Sequence, residues 1–424
     1  MNRTESISKI PPYGLLVVGT MSVAISLGIS MNLTIGLLLP DITESLHLSP
    51  IEKGWLGSSV IIGQILFAIP FALWLSRYRP WRVLSASLLG GGLLIFLQGL
   101  APGLAILLVT RIAFGMAYIA AQPARAILIQ QWIPVRKIVL IYGAHSLIFS
   151  LILFVAAITT PFLIIWLDGW RNTLFAMAII YTGVALFWVF FGRERITPQY
   201  REMVRSQART PLNSIVRYKT LWIGAITMFI ADLTWVTMPV FWPTYALEEF
   251  GLPVTRAGII LSTALISSAP TSLLFTFVPA FVNRRREVLV TCTIVVSGSM
   301  VGMLHTGSFP LLMGLAIAMG LAWGYIPLLL TIPYELPGIK PRELAVAWSF
   351  FQTLAWVGGG IGPVLTGSLQ QATDSLFLAL LVIALINLLV IVGALRLPGR
   401  FPAEATVTEP IPTPPNYPDL SRRR

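Results

Sequence analysis

Residues 15–39 read LLVVGTMSVAISLGISMNLTIGLLL, a run without a single formal charge. Crossing the hydrocarbon core of a bilayer takes about 20 helical residues. Backbone in lipid must satisfy its own hydrogen bonds, which a helix does locally. The run is therefore read as a membrane-crossing helix. Leu56–Leu75, Leu174–Phe191 and Leu376–Leu395 are charge-free in the same way. Composition agrees: of 424 residues, 56% are hydrophobic and 11% are charged. A water-soluble surface needs roughly a quarter of the residues charged. Barrel strands alternate over about 10 residues instead of running apolar for 20, so the expected class is an all-α polytopic membrane protein.

Working outward from this run, the apolar blocks predict twelve transmembrane helices: Pro12–Leu39, Gly54–Ser76, Val83–Leu100, Ala105–Leu128, Ile138–Leu167, Asn172–Phe191, Leu221–Leu247, Ala257–Val282, Val288–His305, Phe309–Pro333, Leu344–Leu369 and Leu376–Leu395. The first block runs past the length of a signal peptide, without a cleavage-type stop, and is expected to stay in the mature protein. The net charge of +12 would point to nucleic acid in a soluble protein. Here the basic residues lie between spans, so the membrane explains them and no nucleic-acid partner is expected. With both termini cytoplasmic, only Lys53, Arg171 and Arg256 of the 29 Lys and Arg fall on the far side, and Arg111 and Arg125 lie within a span. This is the positive-inside pattern. The only cysteine, Cys292, is inside an apolar span and can form no intrachain disulfide.

The longest cytoplasmic connection divides the spans six and six. The expected units are residues 1–192 (first bundle), 193–220 (linker), 221–397 (second bundle) and 398–424 (a proline-rich, disordered cytoplasmic tail). The halves echo each other at a spacing of about 204 residues: Pro40 with Pro243 as the end of a half's first span, Gly54 with Gly258, Gly115 with Gly320, Pro134 with Pro337. Parallel six-span repeats suit two rocking transporter halves.

Ionised groups at membrane depth are costly and usually face a cavity or a partner. Arg111 and Arg125 share span four, 14 residues apart, so they point to broadly one side about 21 Å apart along the axis. They either mark two levels of one aqueous route, or are satisfied by neighbouring backbone and by headgroups. Asp232, the carboxylate deep in span seven, could take a proton, bind a cation or pair with an arginine across the halves. Histidine as a residue type titrates near physiological pH, so His145 in span five is either a proton group or a polar interhelix contact. Asn32, Gln64 and Gln352 are polar candidates well inside spans, for substrate or for helix contacts. Trp235, Trp323, Tyr325 and Trp356 are candidate cavity aromatics, with packing the alternative. No phosphate-binding glycine loop or metal-ligand cluster is read. Neither cofactor nor enzymatic activity is expected.

Met31-Asn32-Leu33-Thr34-Ile35 followed by Leu39-Pro40-Asp41-Ile42, Arg111 with Gly115, Trp132-Ile133-Pro134, Gly169-Trp170-Arg171 and Gly358 to Pro363 together resemble the major facilitator superfamily over roughly residues 12–395. The resemblance implies alternating access between two six-helix bundles. In the family's proton-coupled exporters an aspartate is usual where this chain has Asn32. The latch between spans two and three is matched by Ala72–Arg82, with Ser76 in place of the family's aspartate. Its counterpart is Asn283 to Arg286. The resemblance thus implies gating roles for Arg77, Arg82 and Arg284, and for Gly362 and Pro363. It gives Arg111 a part in proton coupling or substrate binding.

A path with two arginines and a histidine against one aspartate is positive. A small organic anion is the expected substrate, with coupling to protons left open. Export of amphipathic drugs or metabolites is the alternative, and a non-transporting receptor or assembly factor is a third reading. The protein is expected in the plasma or inner membrane, in contact with lipid, and functional as a monomer.

Overall fold

A computed structural model describes residues 11–75, 78–133, 138–195, 217–277, 284–336 and 341–397. The architecture is all α. Helices α1 (Pro12–Leu33) and α2 (Ile35–Leu46) form one broken rod. They are followed by α3 (Pro50–Leu75), α4 (Pro80–Gly99), α5 (Leu104–Trp132), α6 (Ile138–Trp166) and α7 (Trp170–Phe191). After the connection come α8 (Lys219–Phe250), α9 (Val254–Phe277) and α10 (Arg285–His305). A broken helix follows, made of α11 (Phe309–Trp323), α12 (Ile326–Leu330) and a 3-10 turn (Ile332–Glu335). The last are α13 (Pro341–Thr373), α14 (Leu376–Asn387) and α15 (Leu389–Arg396).

Among the described residues, ten helical segments are long and apolar enough to cross a membrane. Helices α3 and α13 have the length, at 26 and 33 residues, but are not among the ten. The core is largely apolar, and so is the outer surface. Trp166, Ile179 and Phe190 are exposed, while Ser, Thr, Gln and Arg side chains are buried. Only a lipid solvent satisfies that distribution, and the chain is an integral membrane protein.

The helix ends correct part of the sequence reading. Pro40 and Pro243 do not end their spans: both lie inside helices. Those helices continue until His47 (φ 52°) and Gly251 (φ 61°) turn the chain left-handed, as glycine does most cheaply. Ser49 and Glu52 then restart the chain, with Ser49 N–H and Oγ both donating to Glu52 Oε2, at 2.8 and 2.7 Å, the carboxylate half of a capping box. The spans expected at Pro12–Leu39, Phe309–Pro333 and Leu376–Leu395 are each interrupted, at Thr34, between Trp323 and Glu335, and at Leu388. Pro327 and Pro333 account for the middle case, since neither has an N–H to continue the ladder. Pro134 and Pro337 lie outside the described residues.

Glycines set the close crossings, and they recur at the repeat spacing. A Cβ on Gly115 would lie 2.0 Å from the Val60 carbonyl oxygen, and one on Gly320 would lie 2.1 Å from that of Ala264. The α3/α5 and α9/α11 crossings are thus the same contact made twice. Between the halves, a Cβ on Gly54 would lie 2.6 Å from Pro363 O, and one on Gly258 would lie 2.6 Å from Pro161 Cγ. These too are equivalent positions. A Cβ on Gly36 would lie 2.0 Å from Pro239 O, and one on Gly367 would lie 2.4 Å from Pro50 O. Helices α3 and α13, α6 and α9, and α2 and α8 therefore carry the seam between the halves. The contacts just named lie toward the end of the bundle that holds the His47, Asp168, Gly251 and Asp374 turns, called here the His47 end.

Candidate functional site

On α5, Arg111, Gly115, Tyr118, Gln122 and Arg125 recur every three or four residues and so share one helix face. Arg111 is 1% exposed. Its Nε donates to Ser59 Oγ on α3 at 2.8 Å, and its Nη2 donates to Asn32 Oδ1 on α1 at 3.2 Å. Ser59 in turn donates to Leu56 O at 2.7 Å, so its oxygen is left to accept. The partners of Arg111 are side chains, not the neighbouring backbone. No carboxylate among the described residues pairs with it.

One turn and more along the same face, a Cβ on Gly28 would come 2.8 Å from the Tyr118 ring; its absence lets the tyrosine lie on α1. Gln122 Oε1 accepts from Arg125 Nη1 at 3.4 Å. His145, on α6, lies within electrostatic reach of Arg125, with its ring 6.3 Å from Phe149. Its Nδ1 is buried without a hydrogen-bond partner. The structure thus groups Asn32 with Arg111, and Gln122 and His145 with Arg125. Gln64 is buried on α3 with Nε2 unpartnered.

The second half contributes a different chemistry. Asp232 is half-buried on α8. No arginine among the described residues forms an ion pair with it. It lies within electrostatic reach of Tyr325, whose buried hydroxyl has no partner. Trp235 and Trp323 meet edge to face, with centroids 4.5 Å apart at 78°, and Trp323 Nε1 is buried and unpartnered. Gln352 Oε1 on α13 is likewise orphaned, and Trp356 is half-buried nearby in sequence. Buried polar atoms normally find partners, and Tyr325 Oη, Trp323 Nε1 and Gln352 Oε1 have none among the described residues.

Of the gating candidates, Arg82 and Arg284 are exposed and Arg77 lies outside the described residues. A Cβ on Gly362 would lie 2.4 Å from Leu233 O, and Pro363 abuts Gly54 and Gly57 of the other half. Two ion pairs escaped the sequence reading. Arg285, buried beside exposed Arg284, bonds Glu335 and also Thr331 Oγ1 at 3.1 Å. Lys53 Nζ, on α3, lies 3.6 Å from Glu248 Oε1 on α8, across the seam. Ser59 and Tyr118 were also missed. The helical spacing from Arg111 could have found Tyr118, but a serine among many has no signal of its own.

Comparison with known proteins finds transporters. A hexuronate transporter of Bacillus subtilis (strain 168) is 24% identical over 356 residues, which is 79% of this chain and 83% of the relative. A nitrite extrusion protein of the same organism is 23% identical over 266 residues, 59% of this chain and 61% of that protein's length. Among solved structures, a bacterial homolog of the human lysosomal transporter Spinster superposes with a TM-score of 0.72 at 17% identity, covering 91% of this chain and 95% of that one. The nucleoside transporter NupG gives 0.73 at 14% identity, covering 91% and 98%. These are transport proteins, and the chain is a transporter rather than an enzyme. The model of the family described as Major Facilitator Superfamily matches residues 18–278 and 224–418, and the chain belongs to that superfamily.

Proposed function

We propose that this secondary transporter moves a small organic anion, with its negative charge held at Arg111, by alternating access between two six-helix halves. The observation that carries the reading is the buried guanidinium whose acceptors among the described residues, Ser59 and Asn32, are neutral. Burying an ion costs several kcal/mol even after relaxation, and an unneutralised one in a membrane-embedded site is retained for an ionic partner or pathway. A carboxylate is the natural match, because the planar guanidinium offers paired donors in a fork. The relatives' names support this: hexuronate and nitrite are both anions.

Further features fill out the proposal. Asp232, with no arginine paired to it among the described residues, is suited to carry a proton inward with the anion. The twelve-span, six-plus-six reading draws support from the seam contacts that recur at the repeat spacing. The positive-inside bias puts the termini in the cytoplasm and the His47 end outside. With the halves in contact at that end, the described conformation is closed to the outside. One chain holds both halves and the route between them, so a monomer suffices.

The test is thermal stability of the purified protein in detergent against carboxylates, sugars, amino acids and cationic dyes. A ligand at 100 times its Kd adds about 2.7 kcal/mol. Carboxylates should stabilise the wild type and not Arg111→Gln. Stabilisation by dyes alone, unaffected by Arg111→Gln, would replace the anion reading with export of amphipathic compounds.

A further inference from the structure

The two groups that hold Arg111 are both uncharged, and both are placed by features that leave little room for alternatives. Ser59 reaches Nε at 2.8 Å because α3 and α5 touch backbone to backbone: a Cβ on Gly63 would lie 2.1 Å from Ile112 O, and one on Gly115 would lie 2.0 Å from Val60 O. At that separation a serine bridges the helices. Asn32 is buried and presents Oδ1 to Nη2 at 3.2 Å. A guanidinium has five N–H donors, and these two bonds occupy two of them. Orientation is therefore supplied from two helices while the charge is left intact.

We infer that Asn32 is the residue that fixes the charge selectivity of the site, with Ser59 as a positioning residue: together they aim the guanidinium of Arg111 without neutralising it, so that its charge is available to a substrate anion. The inference rests on the anion reading above and adds to it the group that decides the sign of the substrate. A carboxylate at position 32 would have the same shape as the amide, would accept from the same Nη2 and would cancel the charge. Asn32→Asp is therefore predicted to make the empty protein more stable and to make it blind to anions.

The experiment uses the full chain in detergent, probed with D-glucuronate, lactate, benzoate and nitrite. Each is compared with D-glucose as an uncharged control, by thermal shift and by binding titration at two ionic strengths. The wild type should bind at least one of the anions, more weakly at high salt. Asn32→Asp should unfold at a higher temperature without ligand and should bind that anion roughly 30-fold or more weakly, which is about 2 kcal/mol. Asn32→Ala and Ser59→Ala, which leave the charge in place but loosen its aim, should lose roughly 3- to 10-fold and keep the salt dependence. An Asn32→Asp protein that binds the same anion within about 3-fold of wild type overturns the inference and leaves the anion reading standing. So does one that fails to fold or unfolds earlier than wild type, since the added ion pair must stabilise it. If the wild type binds none of the anions, the anion reading falls and the inference with it.

Discussion

Arg111 and Arg285 are two buried guanidiniums in opposite company. Arg285 meets a carboxylate, Glu335, whereas Arg111 meets a serine and an amide. Removing one partner of a buried ion pair leaves the other uncompensated, which costs about 3–5 kcal/mol. Glu335→Gln should therefore lower the unfolding temperature clearly, while Arg284→Gln, at an exposed neighbour, should stay within about 0.5 kcal/mol of wild type; thermal unfolding in detergent reads both. Asp232→Asn makes a separate point. If its carboxylate carries the coupled proton, the substitution should abolish accumulation driven by a pH gradient yet leave solute exchange across proteoliposomes intact. Loss of both to the same degree would mean that Asp232 serves binding and not coupling. Arg111 and Asp232 were legible in the sequence because a charge inside an apolar run is conspicuous. Glu335 was not, because a carboxylate at the end of a span looks like any loop residue. Only the break between Trp323 and Glu335 brings it beneath Arg285.

At the scale of the helices, glycine sets how closely they cross. Gly115 and Gly320 were paired from sequence by their position in the repeat, and each proves to rest on a carbonyl oxygen of the helix beside it, from Val60 or Ala264. A methyl group there must separate the backbones, with an overpacking cost of about 1–3 kcal/mol. Gly115→Ala should also weaken anion binding, because separating α3 from α5 draws Ser59 away from Arg111. Gly90 and Gly314 face open space, and Ala at either should be neutral or stabilising by up to about 1 kcal/mol through helix propensity. Thermal unfolding of the four variants separates the two classes, and equal losses at all four would dismiss the packing argument. Sequence periodicity located the helices but not their breaks, because apolar composition persists across Thr34 and Leu388 while the helix does not. The prolines misled in the other direction. Pro40 and Pro243 were read as stops, although the helices run on to left-handed turns at His47 and Gly251. In a bundle, neighbouring helices make an internal proline tolerable.

For the whole molecule, the seam between halves decides what alternating access must break. Toward the His47 end, Gly36 lies against Pro239, Gly54 and Gly57 against Pro363, and Gly258 against Pro161. The Lys53–Glu248 pair spans the same end. No single charged residue in the sequence announced this seam. Lys53 stood out only as a basic residue on the sparsely basic side, and its partner lies about 195 residues away. Lys53 is 7% exposed but Glu248 is 52% exposed, so the pair contributes about 0–1 kcal/mol, weak enough to part in every cycle. The close backbone contacts hold the end shut, and they too must separate when the path opens on that side. Tethering the two residues therefore has a sharp consequence. In a Cys292→Ser background, Lys53→Cys with Glu248→Cys, joined by a short reducible bifunctional thiol reagent, should stop transport in proteoliposomes. Cleaving the linker should restore it, and either cysteine alone should be insensitive to the reagent. Substrate binding in detergent should persist in the tethered protein, because alternating access leaves the opposite end free to open. Transport that continued at full tethering would mean that the His47 end need not open, and a path confined between two rocking halves would then be the wrong description.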